Sequence, residues 1–303
     1  MTVFTPAEAA ACCKLIDLAF AEDFGGEAAW RGDLTSLFFI PAGFEGSGQF
    51  VARAEGVVAG LPALELVFGT LSKDFRLQKS VEDGSRVNAG ALIATVTGPM
   101  NLLLAAERTA LNFLQHLSGI ATLTRRYVDA VAGLPARILD TRKTLPGWRL
   151  LAKFAVRQGG GTNHRMGLHD GVLIKDNHLA FALSRFRQSI PLILRHAKQQ
   201  PRIEKLGDKL PIEIEVETLD QFEDALAGHP DIILLDNMPV EMMREAVSRR
   251  NQAAPGVLLE ASGGVTLQTV RAIAETGVDR ISVGALTHSA PALDIALDYE
   301  HAG

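Results

Sequence analysis

The chain has 303 residues, 47% of them hydrophobic, and a formal net charge of −5 at pH 7. That apolar content supplies a sizeable core and excludes a disordered chain, while the length suits roughly two domains or one barrel with an extension. The acidic balance gives no general attraction to nucleic acid or an anionic membrane, and with no run of about 18 apolar residues no membrane span is expected; a local cationic pocket stays open.

Residues 6–22 predict an amphipathic helix, opened by Thr5-Pro6-Ala7-Glu8 as a capping box with Pro at the first helical position. Glu8, Lys14 and Asp17 interrupt the apolar stretch, which argues against a signal peptide. Cys12 and Cys13 are adjacent, and neighbours close a disulfide only with severe strain, so two reduced thiols in a cytoplasmic protein are expected. Residues 49–65 mix strand and helix signals. Residues 77–98 alternate apolar and polar around Asp83-Gly84, predicting a hairpin, so the first half reads as a small mixed domain.

From Asn101 to about Ala132 the pattern predicts two helices meeting near Ser118-Gly119, with Glu107, Arg108, Asn112 and Gln115 among apolar neighbours. Six short apolar runs follow, each ending in polar residues: 137–143 (RILDTRK), 171–178 (GVLIKDNH), 212–217 (IEIEVE), 231–237 (DIILLDN), 256–264 (GVLLEASGG) and 278–285 (VDRISVGA). Such runs predict buried parallel strands, and the helical segments between them make repeated β/α units. Residues 291–299 predict a last helix packed back on the first domain.

In repeated β/α units the active site gathers at the carboxyl ends of the strands. Arg142, Lys143, Lys175, Glu215, Asp236 and Ser262 fall there. Arg142, Lys143, Lys175, His164 and Arg165, with Arg108, converge on one rim in this reading. Burying so many like charges is very costly without counter-ions, so the rim should bind a strongly anionic molecule carrying phosphate or several carboxylates. The turns at Ser262-Gly263-Gly264, predicted to precede a helix near Thr266, and at Gly284 suit a phosphate on free backbone N–H groups. Glu213, Glu215 and Glu217 alternate along one strand and face one side; with Asp236 they suit sugar hydroxyls or Mg²⁺. Ion pairs of these carboxylates with Lys175 and Arg142 are the plainer alternative.

Residues 139–179 (LDTRKTLPGWRLLAKFAVRQGGGTNHRMGLHDGVLIKDNHL) resemble the quinolinate phosphoribosyltransferase family. The resemblance extends through residues 214–217, 234–237, 259–264 and 282–288, and upstream through 107–112 (ERTALN) and 32–35 (GDLT), nearly the whole chain. It implies an α/β fold in which an incomplete α/β barrel of six or seven strands (118–286) is preceded by a smaller α/β sandwich domain (1–117), with the tail 287–303 packed on the sandwich. It also implies a homodimer with shared active sites, Mg²⁺, and quinolinate and phosphoribosyl pyrophosphate as substrates.

Carried over by motif, Arg108 should reach across the dimer toward a quinolinate carboxylate, while Arg142, His164 and Arg165 hold the carboxylates. Lys143 and Lys175 should lie near the phosphoribosyl pyrophosphate and the reacting centre. Glu215 and Asp236 should contact ribose hydroxyls and Mg²⁺ through water, and Ser262, Gly263, Gly264 and Gly284 should take the 5′-phosphate. Thr162 before Asn163-His164-Arg165, His169, an insertion-like stretch at 25–30 and a long stretch at 185–209 depart from the family pattern. Competing readings are a relative from the molybdenum-locus family acting on another substrate, an aldolase forming a Schiff base on Lys175, and a non-catalytic nucleotide sensor.

Overall fold

The computed structural model describes residues 4–41, 43–186, 189–200 and 210–299. The chain divides into two compact units, Met1–Arg125 with Lys143–Gly161 and Ala285–Gly303, and Arg126–Arg142 with Thr162–Gly284.

In the first unit, α1 (Pro6–Phe24) opens on the capping box: Glu8 N donates to Thr5 Oγ1 at 3.3 Å and Thr5 N to Glu8 Oε2 at 2.8 Å. Cys12, Ile16, Phe20 and Phe24 are buried at i, i+4 spacing, one stripe of the helix. The insertion-like stretch starts at Gly25, which ends α1 with φ 61°, and runs into α2 (Ala29–Gly32). Then come α3 (Leu34–Phe39), β1 (Glu45–Ala52), β2 (Gly56–Val57), α4 (Leu61–Leu71), β3 (Arg76–Lys79), β4 (Arg86–Val87) and β5 (Leu92–Pro99). Phe50 and Phe68 meet at 6.2 Å in the core; burying each contributes about 1.5–3 kcal/mol.

Asp83-Gly84 does turn the chain, with Ser85 N donating to Glu82 O, and the segment does pair back on itself, β3 with β5 from Arg76↔Thr97 to Lys79↔Ala94, but through a longer connection from which β4 pairs with β2. The Asp83 side chain is committed elsewhere. Its Oδ1 accepts from Gly60 N at 2.8 Å and Leu61 N at 3.1 Å, capping α4.

The two helices expected over 101–132 are one, α5 (Met100–Ala130). Gly119 marks a contact rather than a break: a Cβ there would lie 2.1 Å from Pro291 O. The expected terminal helix is also corrected. Ile295–Tyr299 is a strand, β12, paired with β1 from Gly48↔Tyr299 to Ala52↔Ile295. Ile295 and Leu297 are buried while Asp298 is exposed, a period of two that decides for a strand. The sheet order is β12-β1-β5-β3.

α6 (Arg149–Gln158) belongs to this unit too. Phe154 meets Phe4 edge-on at 4.7 Å, and Arg157 pairs with Glu8 at 2.6 Å. The sequence reading divides the chain at 117/118 and returns the tail from 287 to the first domain, whose unit does include Ala285–Gly303; it does not foresee that Lys143–Gly161 also falls in that unit.

In the second unit all six apolar runs are strands: β6 (Arg137–Leu139), β7 (Val172–Ile174), β8 (Ile212–Val216), β9 (Ile232–Asp236), β10 (Leu258–Ser262) and β11 (Arg280–Ser282). They form one parallel sheet in the order β6-β11-β10-β9-β8-β7. Thr162 adds a single bridge to Leu139. The helices are α7 (Asp176–Phe186), α8 (Ile190–Lys198), α9 (Leu219–Ala227), α10 (Val240–Ala253) and α11 (Val270–Ala274); the short α12 (Ala285–His288) follows β11 within the first unit. Of the long stretch at 185–209, residues 187–188 and 201–209 lie outside the described residues. The fold class is the expected α/β: a parallel six-stranded sheet domain with a smaller sheet unit.

Candidate active site

β8 reads Ile-Glu-Ile-Glu-Val with all five residues buried, so its apolar and acidic side chains alternate between two faces. Glu215, near its carboxyl end, accepts from Lys175 Nζ at 2.7 Å, and Lys175 follows the last residue of the neighbouring β7. Glu215 is nearly closed off while Lys175 is half-exposed, so the pair presents its cationic side to solvent. Glu217 lies beyond the strand end, exposed, its N–H donating to Gln221 Oε1; it does not continue the acidic face. Asp236 closes β9 and sits in register with Ser262, the last residue of β10.

The segment 162–165 is tied to the end of β6. Thr162 N donates to Ile138 O at 2.8 Å, and the fully buried Asp140 accepts from His164 N at 2.9 Å and Asn163 Nδ2 at 2.7 Å. This brings Arg165 near Arg142. Burial first, then the Arg142 charge, lowers the Arg165 guanidinium pKa, with Glu213 opposing. Arg165 Nη1 donates to Gly171 O at 3.1 Å, whereas Arg142 Nε is buried with no hydrogen-bond partner. Two adjacent guanidiniums, one with an unsatisfied buried donor, call for an anion.

His164 does not sit as the sequence reading has it. Its Nδ1 accepts from Arg165 N at 2.8 Å, and its Nε2 lies 3.2 Å from both Glu213 Oε2 and Glu260 Oε1, so both nitrogens are engaged by protein. Glu260 also accepts from Arg280 Nε at 2.6 Å. Burial works against a charged ring, but the two carboxylates raise its pKa to about 9. The Arg165 N–H nevertheless requires a lone pair on Nδ1, which an imidazolium lacks. That bond favours the neutral Nε2–H tautomer and so opposes the pull of the two carboxylates toward a charged ring. The Glu213 carboxyl is pushed above the usual carboxylate range by burial, against the His164 hydrogen bond and with the Glu260 charge. Although burial opposes it, Glu260 is held below the usual carboxylate range by His164 and Arg280.

Ligand atoms of His164, Glu213 and Glu260 lie within 4.8 Å of one another, a spacing that would suit a metal. The Nε2 proton leaves no lone pair for one, and the Arg280 guanidinium already supplies the counter-charge. A hard divalent cation fits better at Glu215 and Asp236, oxygen donors at the ends of adjacent strands.

The turn after β10 carries Gly263 and Gly264 at φ 91° and 59°, a region that glycine occupies without steric penalty. It does not lead directly into a helix as expected. Thr266 and Thr269 bond one another locally and α11 starts at Val270, so this turn offers its own backbone rather than a helix end. Gly284 lies immediately before α12.

The second unit thus brings together Arg142, His164, Arg165, Lys175, Glu215, Asp236, Ser262, Gly263, Gly264 and Gly284. Arg108, exposed on α5, and Lys143, whose carbonyl accepts from Thr287 Oγ1 at 2.8 Å, belong to the first unit. Sequence reasoning assigned no role to Asp140, Glu260, Arg280 or Asn237. For Glu260 the signal was available: a carboxylate inside the apolar run VLLEA requires a buried partner.

Comparison with known proteins places these residues in context. The family described as "Quinolinate phosphoribosyl transferase, C-terminal domain" matches residues 120–298, and its N-terminal domain counterpart matches residues 33–118. The chain is 48% identical over 270 residues to a nicotinate-nucleotide pyrophosphorylase [carboxylating] of Mycobacterium leprae, covering 88% of this chain and 90% of that one. It is 40% identical over 286 residues to a probable enzyme of the same name from Bacillus subtilis, covering 94% and 92%. The solved nicotinate-nucleotide pyrophosphorylase of Francisella tularensis superposes with a TM-score of 0.87 at 36% identity, covering 98% of each chain.

Proposed function

The chain belongs to the quinolinate phosphoribosyltransferase family, whose reaction in NAD biosynthesis moves a phosphoribosyl group from phosphoribosyl pyrophosphate to quinolinate with loss of CO₂, and we propose that the strand-end residues of its second unit carry that reaction. The observation that carries this reading is the pair of adjacent guanidiniums, Arg142 and Arg165, in the same compact unit as the Lys175–Glu215 ion pair. A dicarboxylate matches the first and a developing cation the second.

In this reading Arg142 and Arg165 hold the two quinolinate carboxylates, each charge-assisted bond contributing on the order of 1.5–3 kcal/mol. His164, with both nitrogens engaged, orients the Arg165 peptide rather than binding substrate. Glu215 and Asp236 lie at the ribose. As the pyridine nitrogen bonds to C1, the C1–oxygen bond breaks and its electron pair leaves with pyrophosphate. The positive charge building on the sugar is met by fixed carboxylates, the kind of preorganised field that lowers barriers most. Lys175 and Lys143 neutralise departing phosphate charge. The positive nitrogen then stabilises the electron pair left on the adjacent ring carbon as its carboxylate leaves as CO₂, and that carbon uses the pair to take a proton from water.

Mg²⁺, held through water by Glu215 and Asp236, would supply Lewis-acid neutralisation of the pyrophosphate. Ser262, Gly263, Gly264 and Gly284 take the 5′-phosphate. Arg108 completes the site of a second copy in a homodimer. Leu34, Phe38 and Phe39 on α3 are all more than half exposed, an apolar patch of the kind that marks an interface. No helix among the described residues is long and apolar enough to cross a membrane, which fits the proposed cytoplasmic location.

The test is release of CO₂ and pyrophosphate by purified protein given quinolinate, phosphoribosyl pyrophosphate and Mg²⁺, beside a parallel sample given nicotinic acid. Equal release of both products with quinolinate alone is expected. Turnover of nicotinic acid instead would overturn the carboxylate assignments, and turnover of neither would point to the molybdenum-locus relatives or a binding role.

A further inference from the structure

Among the described residues, two that are not glycine have positive φ: His229 and Asn237. Asn237, at φ 52°, directly follows Asp236. Asparagine tolerates this left-handed conformation better than most residues, yet glycine would adopt it with less strain. What asparagine adds is its side-chain amide, which here touches both Asp236 and Gly263. Its Nδ2 donates to Asp236 Oδ2 at 2.7 Å, and its backbone N–H donates to Ser262 O at 2.9 Å. Its amide also lies against Gly263 so closely that a Cβ on that glycine would meet Asn237 Oδ1 at 2.1 Å and Cγ at 2.5 Å.

These contacts divide the two turn glycines by role. Around Gly264 nothing lies within 4 Å of where a Cβ would stand, so its open face is the one a phosphate could approach. Gly263 is required by Asn237 instead. Its missing side chain is the space the asparagine amide fills, and its φ of 91° bends the turn around it.

We propose that Asn237 is a positioning residue that locks the Asp236 carboxylate to the Ser262–Gly263–Gly264 turn, so that one side chain sets the spacing between the ribose and 5′-phosphate subsites. The inference rests on the roles given above to Asp236 and the turn. Asn237 acts through its neighbours: without its amide, Asp236 loses the bond to Oδ2 that orients this carboxylate oxygen, and the turn loses the side chain packed against Gly263.

The experiment is a double-mutant cycle on the full-length protein with quinolinate, phosphoribosyl pyrophosphate and Mg²⁺. Asn237→Gly keeps the backbone conformation and removes the amide. It should lower kcat/KM for phosphoribosyl pyrophosphate by about 10–100-fold, as loss of an outer-shell partner does, while KM for quinolinate and Tm stay near wild type. In an Asp236→Ala background the same change should have little further effect. Asn237→Asp, a second variant of nearly the same shape but without the amide donor at neutral pH, should be impaired at least as much as Asn237→Gly. Full activity of Asn237→Gly beside a crippled Asp236→Ala would overturn the positioning role and leave the site intact, as would full additivity in the cycle. Full activity of Asp236→Ala would remove the ribose assignment itself, and the proposal with it.

Discussion

Arg165 and His164 are joined by a bond between neighbours: the backbone N–H of Arg165 donates to Nδ1 of the preceding imidazole at 2.8 Å. Because Nδ1 is an acceptor, Nε2 carries the proton toward Glu213 and Glu260. A residue whose sequence context reads as a substrate-binding cation thereby links a buried acid cluster to the backbone of Arg165, the arginine proposed to bind quinolinate. We expect imidazole ¹⁵N shifts of His164 at pH 7 to show a neutral ring protonated at Nε2; a doubly protonated ring would refute the tautomer. His164→Phe would remove the Nε2–H that faces both Glu213 and Glu260, while Arg280 Nε still donates to Glu260. Unfolding free energy should fall by about 3–5 kcal/mol, as when one partner of a buried polar pair is removed, and KM for quinolinate should rise more than KM for phosphoribosyl pyrophosphate.

Arg142→Ala and Lys175→Ala should each lower turnover at least ~10²-fold, comparable to removing one preorganised charge-stabilising donor. Steady-state kinetics on folded variants checks this. Near-normal turnover by either variant would remove that residue from the mechanism.

Sharing of the site across a dimer is read by mixing. Arg108→Ala and Lys175→Ala subunits, each inactive alone, should regain partial activity together, since some mixed sites carry both native residues. Assays after demonstrated subunit exchange settle the point: persistent inactivity would mean that Arg108 serves its own subunit.

Asp83 makes stability depend on pH. Burial raises its carboxyl pKa to about 6 from 3.8, outweighing the N–H bonds from Leu61 and Gly60. Its Oδ2 is buried without a hydrogen-bond partner. A folded-state pKa above the unfolded one means that the folded state binds the proton more tightly. The contribution is complete below about pH 4 and is lost as pH rises through about 6, a change on the order of 3 kcal/mol across that window. Denaturant unfolding of wild type and Asp83→Asn at several pH values should show this slope in wild type and its disappearance in the variant.

Gly119 offers a purely steric test. Gly119→Ala raises helix propensity but sets a methyl 2.1 Å from Pro291 O, so the variant should lose about 1–3 kcal/mol in denaturant unfolding, as overpacked sites do. A stabilised variant would show that the chain near Pro291 yields easily.

Much of this was legible beforehand, and each misreading has a physical origin. All six apolar runs became strands because four or five apolar residues between turn signals fit a parallel sheet buried on both faces. Ser118-Gly119 looked like a helix break because sequence shows a glycine's flexibility but not the backbone packed against it. The 295–299 strand was read as a helix because five residues are too few for either period to dominate before the edge of β1 is known. The helix expected at Thr266 starts at Val270, since paired threonine hydroxyls offer the backbone another set of bonds.

The sequence by itself determined the α/β class, the strand-end placement of Lys175, Glu215, Asp236 and Ser262, and the family, because periodicity and motif order are local properties of a chain. Only the tertiary structure decided what each polar group does. Glu213 and Glu215 are two residues apart on one strand face, yet one faces His164 and the other pairs with Lys175. Asn237 looked like the end of an apolar run until Asp236, Ser262 and Gly263 were seen around it. Hydrogen-bond partners, burial and protonation depend on distances between residues far apart in the chain, and those exist only once the sheet has formed.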